Sequence, residues 1–356
     1  MTISTKGLFA AISIAVASSF GLTPINGSAQ ALPKTQLKVV GSISSLPPYR
    51  DFEVPFWTKQ ITEKSGGSIT AEVKGFNEMG LKGPEVLRLM SQGVIEMGAT
   101  VLAYLASDDP VTEAVDIAGL STDVETARRI TEAGKPIYEK LFREKFGVKL
   151  LGIATYPAQV IYCNGELKGL ADMKGKKVRV GGRSQSELMD ALGATPVTMA
   201  FGEVVPGLQN KVVDCAITGT LSGNLAKWHE VTTHLYALPV SWGQIGYAAN
   251  QQAWDKLAPG VRSLLETEIK RLEKEVWDVA AFHTKEGFYC NTGVDPCTVG
   301  QKGKMKLVSA TDTDRALLKK ILTETMLPKW AARTAPEYVT QFNETIGKAA
   351  GVVAKK

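Results

Sequence analysis

Strand-length apolar runs alternate with helix-period stretches along this chain, and the alternation starts twice. Residues 37–42, 69–73 and 97–101 read as strands, with helix patterns between them over 52–65 and from Pro84 to Gly93. The grammar then restarts at 149–154, 160–164 and 177–180, followed by a helix over 184–192 and a strand over 212–218. Strands that alternate with helices at this spacing predict an α/β fold with largely parallel sheets. Two such blocks in succession predict two lobes with a cleft between them.

Two helices are legible at greater length. After Pro259, Val261, Leu264, Leu265, Ile269, Leu272 and Val276 form an apolar stripe that runs on toward Phe288. A helix of about thirty residues is about 45 Å long. That exceeds one small lobe, so it is expected to lie along both. A second amphipathic helix is expected from Asp314 to Trp330.

The beginning of the chain reads as an address. Lys6 precedes a mostly apolar run from Leu8 to Leu22, and Ala29-Gln30-Ala31 supplies a small-residue cleavage pattern. The expectation is a signal peptide over 1–31, cut between Ala31 and Leu32, and a periplasmic mature protein. Hydrophobic residues at 44% and charged residues at 22% describe a globular rather than a disordered remainder. The four cysteines suit an oxidising compartment. Cys290 and Cys297 flank a turn-rich bridge and are expected to pair, whereas Cys163 and Cys215 either pair or stay buried thiols.

The chemistry of an enzyme is hard to assemble from these residues. His229, His234 and His283 lack the Cys or carboxylate spacing of a metal site, and no G-x-S-x-G elbow is present. Gly169 to Lys176 misses the phosphate-loop spacing by one residue. No cofactor motif and no catalytic residue is therefore assigned. A net charge of +5 is modest, and the basic run from Lys174 to Arg183 lacks interleaved aromatics, which argues against a nucleic-acid partner.

One segment carries a resemblance. Asp172-Met173-Lys174-Gly175-Lys176-Lys177-Val178-Arg179-Val180 resembles a signature of TRAP-transporter substrate-binding proteins of the C4-dicarboxylate-binding, DctP-like family. In the same order as that family come Gly93-Val94-Ile95-Glu96-Met97-Gly98, then Leu192 to Val204, then Leu208 to Asp214. The resemblance implies a two-lobed periplasmic-binding-protein fold with a long lobe-spanning helix. Lobe I would be 32–156 plus about 245–284, and lobe II 157–244 plus about 285–356. It also implies a monomeric, non-enzymatic receptor that passes a small carboxylate to a TRAP-type ion-coupled permease. A ligand-presenting subunit of a sensor system is the alternative, and an exported hydrolase or isomerase a remoter one.

The resemblance further implies that Arg179 clamps the ligand carboxylate, a role suited to its planar fork of donors. Two departures bear on the ligand. Gln159 stands where many members carry a second arginine, and Thr218 where they carry an asparagine. Both make the pocket less polar. Tyr104, Phe201 and Trp242 lie near the expected cleft as candidate walls, and Arg183 as a second charged contact. The expected ligand is thus a monocarboxylate with an apolar or aromatic body, such as an aromatic or 2-oxo acid.

Overall fold

The computed structural model describes residues 1–4 and 31–356. Of the expected leader over 1–31, residues 5–30 lie outside the described residues, and with them all of its cleavage pattern except Ala31. No helix among the described residues is long and apolar enough to cross a membrane.

The described residues form eleven strands in two sheets. In chain order they are β1 (Thr35–Gly41), β2 (Ile69–Gly75), β3 (Met97–Val101), β4 (Val148–Ala154), β5 (Gln159–Cys163), β6 (Lys177–Val180), β7 (Thr195–Thr198), β8 (Cys215–Gly219), β9 (His234–Ser241), β10 (Ile245–Asn250) and β11 (Lys306–Ser309). The first sheet has the order β2-β1-β3-β10-β4, the second β11-β9-β5-β8-β6-β7. Each is parallel apart from one reversed strand, β10 in the first and β5 in the second. These two are the strands by which the chain enters one sheet from the other. The chain leaves β4 at Ala154 and enters β5 at Gln159; it leaves β9 at Ser241 and enters β10 at Ile245. The crossings run side by side, with Ala154 opposite Ile245 and Gln159 opposite Ser241.

Every residue of β3, β8 and β10 is buried, as central strands covered on both faces require. Their small residues, Met-Gly-Ala-Thr-Val, Cys-Ala-Ile-Thr-Gly and Ile-Gly-Tyr-Ala-Ala-Asn, let helices pack close. Edge strand β2 alternates between buried and open positions instead.

The third crossing is the long helix, and it is broken. Pro259–Asp278 packs on β4, and Ala280–Thr292 packs on the short helix Thr220–Leu225 beside the second sheet. At the junction Val279 holds φ −96° and ψ −4°. Trp277 anchors the first half by donating from Nε1 to the Ile153 carbonyl at 2.8 Å. In the second half Gly287 is required: a Cβ there would sit 2.2 Å from the Leu221 nitrogen. The sequence pattern foresees the span over both sheets but not the break.

The expected second helix begins earlier, at Asp312, where Thr311 and Asp314 form a capping box. It continues through Leu322–Met326 into Leu327–Arg333. The long helix Val124–Phe146 was not foreseen, although Asp123 caps its start and a left-handed Gly147 its end. The chain's last helices return to it, with Pro336–Phe342 packing on its surface. The C-terminal stretch is therefore shared between the two sheets' surroundings. Disulfides join Cys163 to Cys215, on paired positions of β5 and β8, and Cys290 to Cys297.

Candidate ligand-binding site

The ends of several strands meet at the crossings. β6 ends at Val180, β8 at Gly219 and β3 at Val101, while β5 begins at Gln159. In open α/β sheets the crevice beyond the strand ends is where ligands lodge. Here it holds a tight cavity of about 30 Å³ lined from both sheets.

Arg179 supplies its charge. It is 2% exposed, near the end of a strand whose neighbours in register are the buried Ala216 and the half-buried Val197. Its Nε donates to the Met199 carbonyl at 3.0 Å and its Nη1 to the Ile217 carbonyl at 2.8 Å. The Trp228 ring lies 5.7 Å away on one face, and Phe201 stacks on that ring at 5.5 Å. Nη2 is buried and has no hydrogen-bond partner within reach among the described residues, the Tyr104 hydroxyl being the nearest group to act on the guanidinium. The protein thus fixes the guanidinium plane with two of its donors and leaves one edge toward the cavity. Burial lowers the Arg179 pKa, opposed by the Tyr104 hydroxyl that faces it. An arginine stays protonated under such a shift.

Tyr104 reaches the cavity from the turn after β3. The two sides approach closely there: a Cβ on Gly182 would lie 2.9 Å from the Ala103 carbonyl oxygen. Ile43, Leu46 and Val101 add an apolar wall from the first sheet. On the opposite side the wall is polar. Gln185 accepts from the Gly181 nitrogen at 2.8 Å and donates to Ser241 Oγ at 2.9 Å and Gln159 Oε1 at 2.5 Å. Gln159 is therefore held by its oxygen. Thr218 and Ser222 also line the cavity.

Asp116 closes the polar end. Its two oxygens accept from the Trp242 and Gly243 nitrogens at 2.7 and 2.8 Å. No cation among the described residues pairs with it, and burial pushes its carboxyl up to about 7. Behind the apolar wall Glu53 is in a similar state, also raised to about 7 by burial. It accepts from the Ser42 nitrogen at 2.8 Å and the Tyr247 hydroxyl at 3.3 Å.

Of the six residues expected at the site, the fold brings Arg179, Thr218, Phe201, Gln159 and Tyr104 to one cavity. Trp242 is not among them. Its indole packs with Ala127, Ala158 and Trp277 and donates to the Ser121 carbonyl at 3.3 Å, so its bulk fills the crossing's core. The neighbouring Gly243 reaches the cavity in its place. Arg183 also stays outside it, pairing with Glu187 at 3.2 Å and lining the open mouth of the cleft. None of the three histidines lines the cavity. Asp116, Gln185, Ser222 and Tyr156 are site residues that the sequence did not disclose. A search outward from the ends of β6 and β8 finds Gln185 and Ser222; nothing local marks Asp116 or Tyr156.

A buried cluster ties the two sides together beside the cavity. Arg333 bonds Glu113 and, at 2.9 Å, Glu187, while the Ser184 nitrogen donates to Glu113 at 3.0 Å. Burial raises the Glu113 carboxyl and the Arg333 charge opposes the rise.

Comparison with known proteins supplies a family. The model of bacterial extracellular solute-binding proteins of family 7, the DctP family, matches residues 49–325. A C4-dicarboxylate-binding periplasmic protein of Rhodobacter capsulatus is 32% identical over 217 residues, 58% of this chain and 63% of its own length. The chain therefore aligns with less than two thirds of that relative. An extracytoplasmic solute receptor of Bordetella pertussis binding pyroglutamic acid has the same fold, with a TM-score of 0.79 at 21% identity. That match covers 89% of this chain and 99% of the receptor. A TRAP periplasmic solute-binding protein of Desulfovibrio salexigens with bound orotic acid matches with a TM-score of 0.78 at 19% identity, over 88% and 99%. With the family model matched over most of its length, this chain belongs to the bacterial extracellular solute-binding proteins of family 7.

Proposed function

We propose that this protein captures a small organic acid with a single carboxylate and hands it to a TRAP-type membrane permease. The observation that carries the reading is the unpartnered Nη2 of a buried, pre-oriented Arg179 in a cavity between two sheets. A buried cation with one free donor edge is an incomplete ion pair, and a carboxylate completes it.

The number of carboxylates follows from the lining. Arg179 is the only Lys or Arg among the described residues that line the cavity, and Asp116 lines it too. A second carboxylate would be desolvated with no cation and would face an acid, which costs several kcal/mol. Ile43, Leu46, Phe201 and Tyr104 instead offer surface to an apolar or aromatic body. The acids bound by the Bordetella and Desulfovibrio receptors, compact rings with one carboxyl group each, support this reading by analogy.

In this account lobe I is built on the first sheet and lobe II on the second, hinged at the two paired crossings and at Val279. Closure brings Tyr104 to Arg179 and would be driven by contacts available only when both lobes touch the ligand. The receptor acts as a periplasmic monomer without catalysis.

A thermal-shift panel of small carboxylic acids tests the proposal. A ligand at about 100 times its dissociation constant adds about 2.7 kcal/mol. That is a rise of roughly 5–10 °C in the midpoint. Monocarboxylates with an apolar or ring body are expected to give it, and succinate and malate are not. A shift with the dicarboxylates alone would overturn the monocarboxylate assignment.

A further inference from the structure

Among the described residues that line the cavity, two carry a buried polar side-chain atom without a partner. One is Arg179 Nη2; the other is Ser222 Oγ. Ser222 is 1% exposed, and its hydroxyl lies 2.8 Å from where a Cβ of Gly219 would be. A hydroxyl that has lost water and found no protein partner forfeits a hydrogen bond in the empty site. Such an atom, facing a cavity, is complete only when a ligand atom occupies that place.

The positions of the two orphans set the geometry of what they hold. The Arg179 guanidinium is tied to the carbonyl of Ile217, and Ser222 Oγ sits over Gly219, two residues further along the same strand. Two residues of strand span about 7 Å. Two hydrogen bonds of about 2.8 Å take up most of that span. A ligand that reaches both anchors along that stretch can do so with neighbouring atoms, as a carboxylate oxygen and an oxygen on the adjacent carbon are.

We propose that Ser222 is a specificity-determining residue that donates a hydrogen bond to an oxo or hydroxyl oxygen on the carbon next to the ligand's carboxylate. This rests on the assignment of the carboxylate to Arg179. It narrows the ligand class from monocarboxylic acids to 2-oxo and 2-hydroxy acids. Thr218, between the two anchors, lines the same stretch of wall, and a Cβ on Gly223 would be 3.0 Å from its methyl group.

Calorimetric titration with matched acids tests the inference. The probes are 4-methyl-2-oxopentanoate against 4-methylpentanoate, and phenylpyruvate against 3-phenylpropanoate. The wild-type protein is expected to prefer the 2-oxo member of at least one pair by about 10–100-fold, the value of a buried hydrogen bond. Ser222→Ala is expected to abolish that preference by weakening the 2-oxo acid and leaving its partner within about threefold. Arg179→Met is expected to weaken both members together. If wild type shows no preference for the 2-oxo acids, or if Ser222→Ala retains it, the role of Ser222 is wrong. If Arg179→Met leaves binding intact, the carboxylate assignment beneath it is wrong.

Discussion

Arg179→Met is expected to reduce affinity for the bound acid by two to three decades. Methionine fills a similar volume but offers the carboxylate no donor. Removing one partner of a buried charge pair costs about 3–5 kcal/mol. At 1.4 kcal/mol per decade that is a loss of about 100- to 3,000-fold. The variant also leaves the Met199 and Ile217 carbonyls without their donors. Some stability is therefore lost as well, and affinity should be measured well below the variant's own midpoint. Arg179→Lys separates charge from geometry. It keeps the positive charge yet cannot hold two carbonyls and present a free donor edge. Its affinity is expected to fall nearly as far. Full affinity in the Lys variant would mean that charge alone binds the ligand.

Stability is expected to fall as pH rises from about 4 to about 7, and Glu53→Gln is expected to flatten much of the fall. Glu53 and Asp116 are raised to about 7 by burial, and neither has a cationic partner. In the unfolded chain both titrate near 4. Between those values the folded state binds more protons than the unfolded one, so stability decreases with rising pH. The contribution is complete below about pH 4 and gone above about pH 7. Each carboxyl accounts for on the order of 3 kcal/mol across that window. His229 and His283 act oppositely there, because burial lowers both. The comparison must therefore be between wild type and variant at each pH. Urea unfolding at pH 5 and pH 8 should show similar stabilities at the lower pH and a more stable Glu53→Gln at the higher. Parallel profiles would mean that Glu53 stays charged in the folded protein.

The fold was legible in the chain because its central strands are continuous apolar runs bounded by turn residues. β3 and β6 coincide with the expected spans, and the Pro259 helix is read from its stripe. Strands β9 and β10 were missed. β10 is rich in glycine and alanine, and its identity comes from the β3 and β4 neighbours on either side. The helix Val124–Phe146 escaped because Pro136 interrupts its interior, although its caps are regular. Within the site, Arg179 was legible through a resembling segment. Asp116 was not, because its role depends on two backbone nitrogens that lie far along the chain. Trp242 shows the converse error: proximity in sequence to the crossing placed it near the cleft, and packing turned it into the core.

On the proposed function, the free edge of Arg179 binds the ligand's carboxylate. Titration of one acid from the panel beside its methyl ester tests it most directly, since the two differ in charge and by one methyl group. The acid is expected to bind, and the ester to bind at least about 100-fold more weakly. Equal affinities would contradict it.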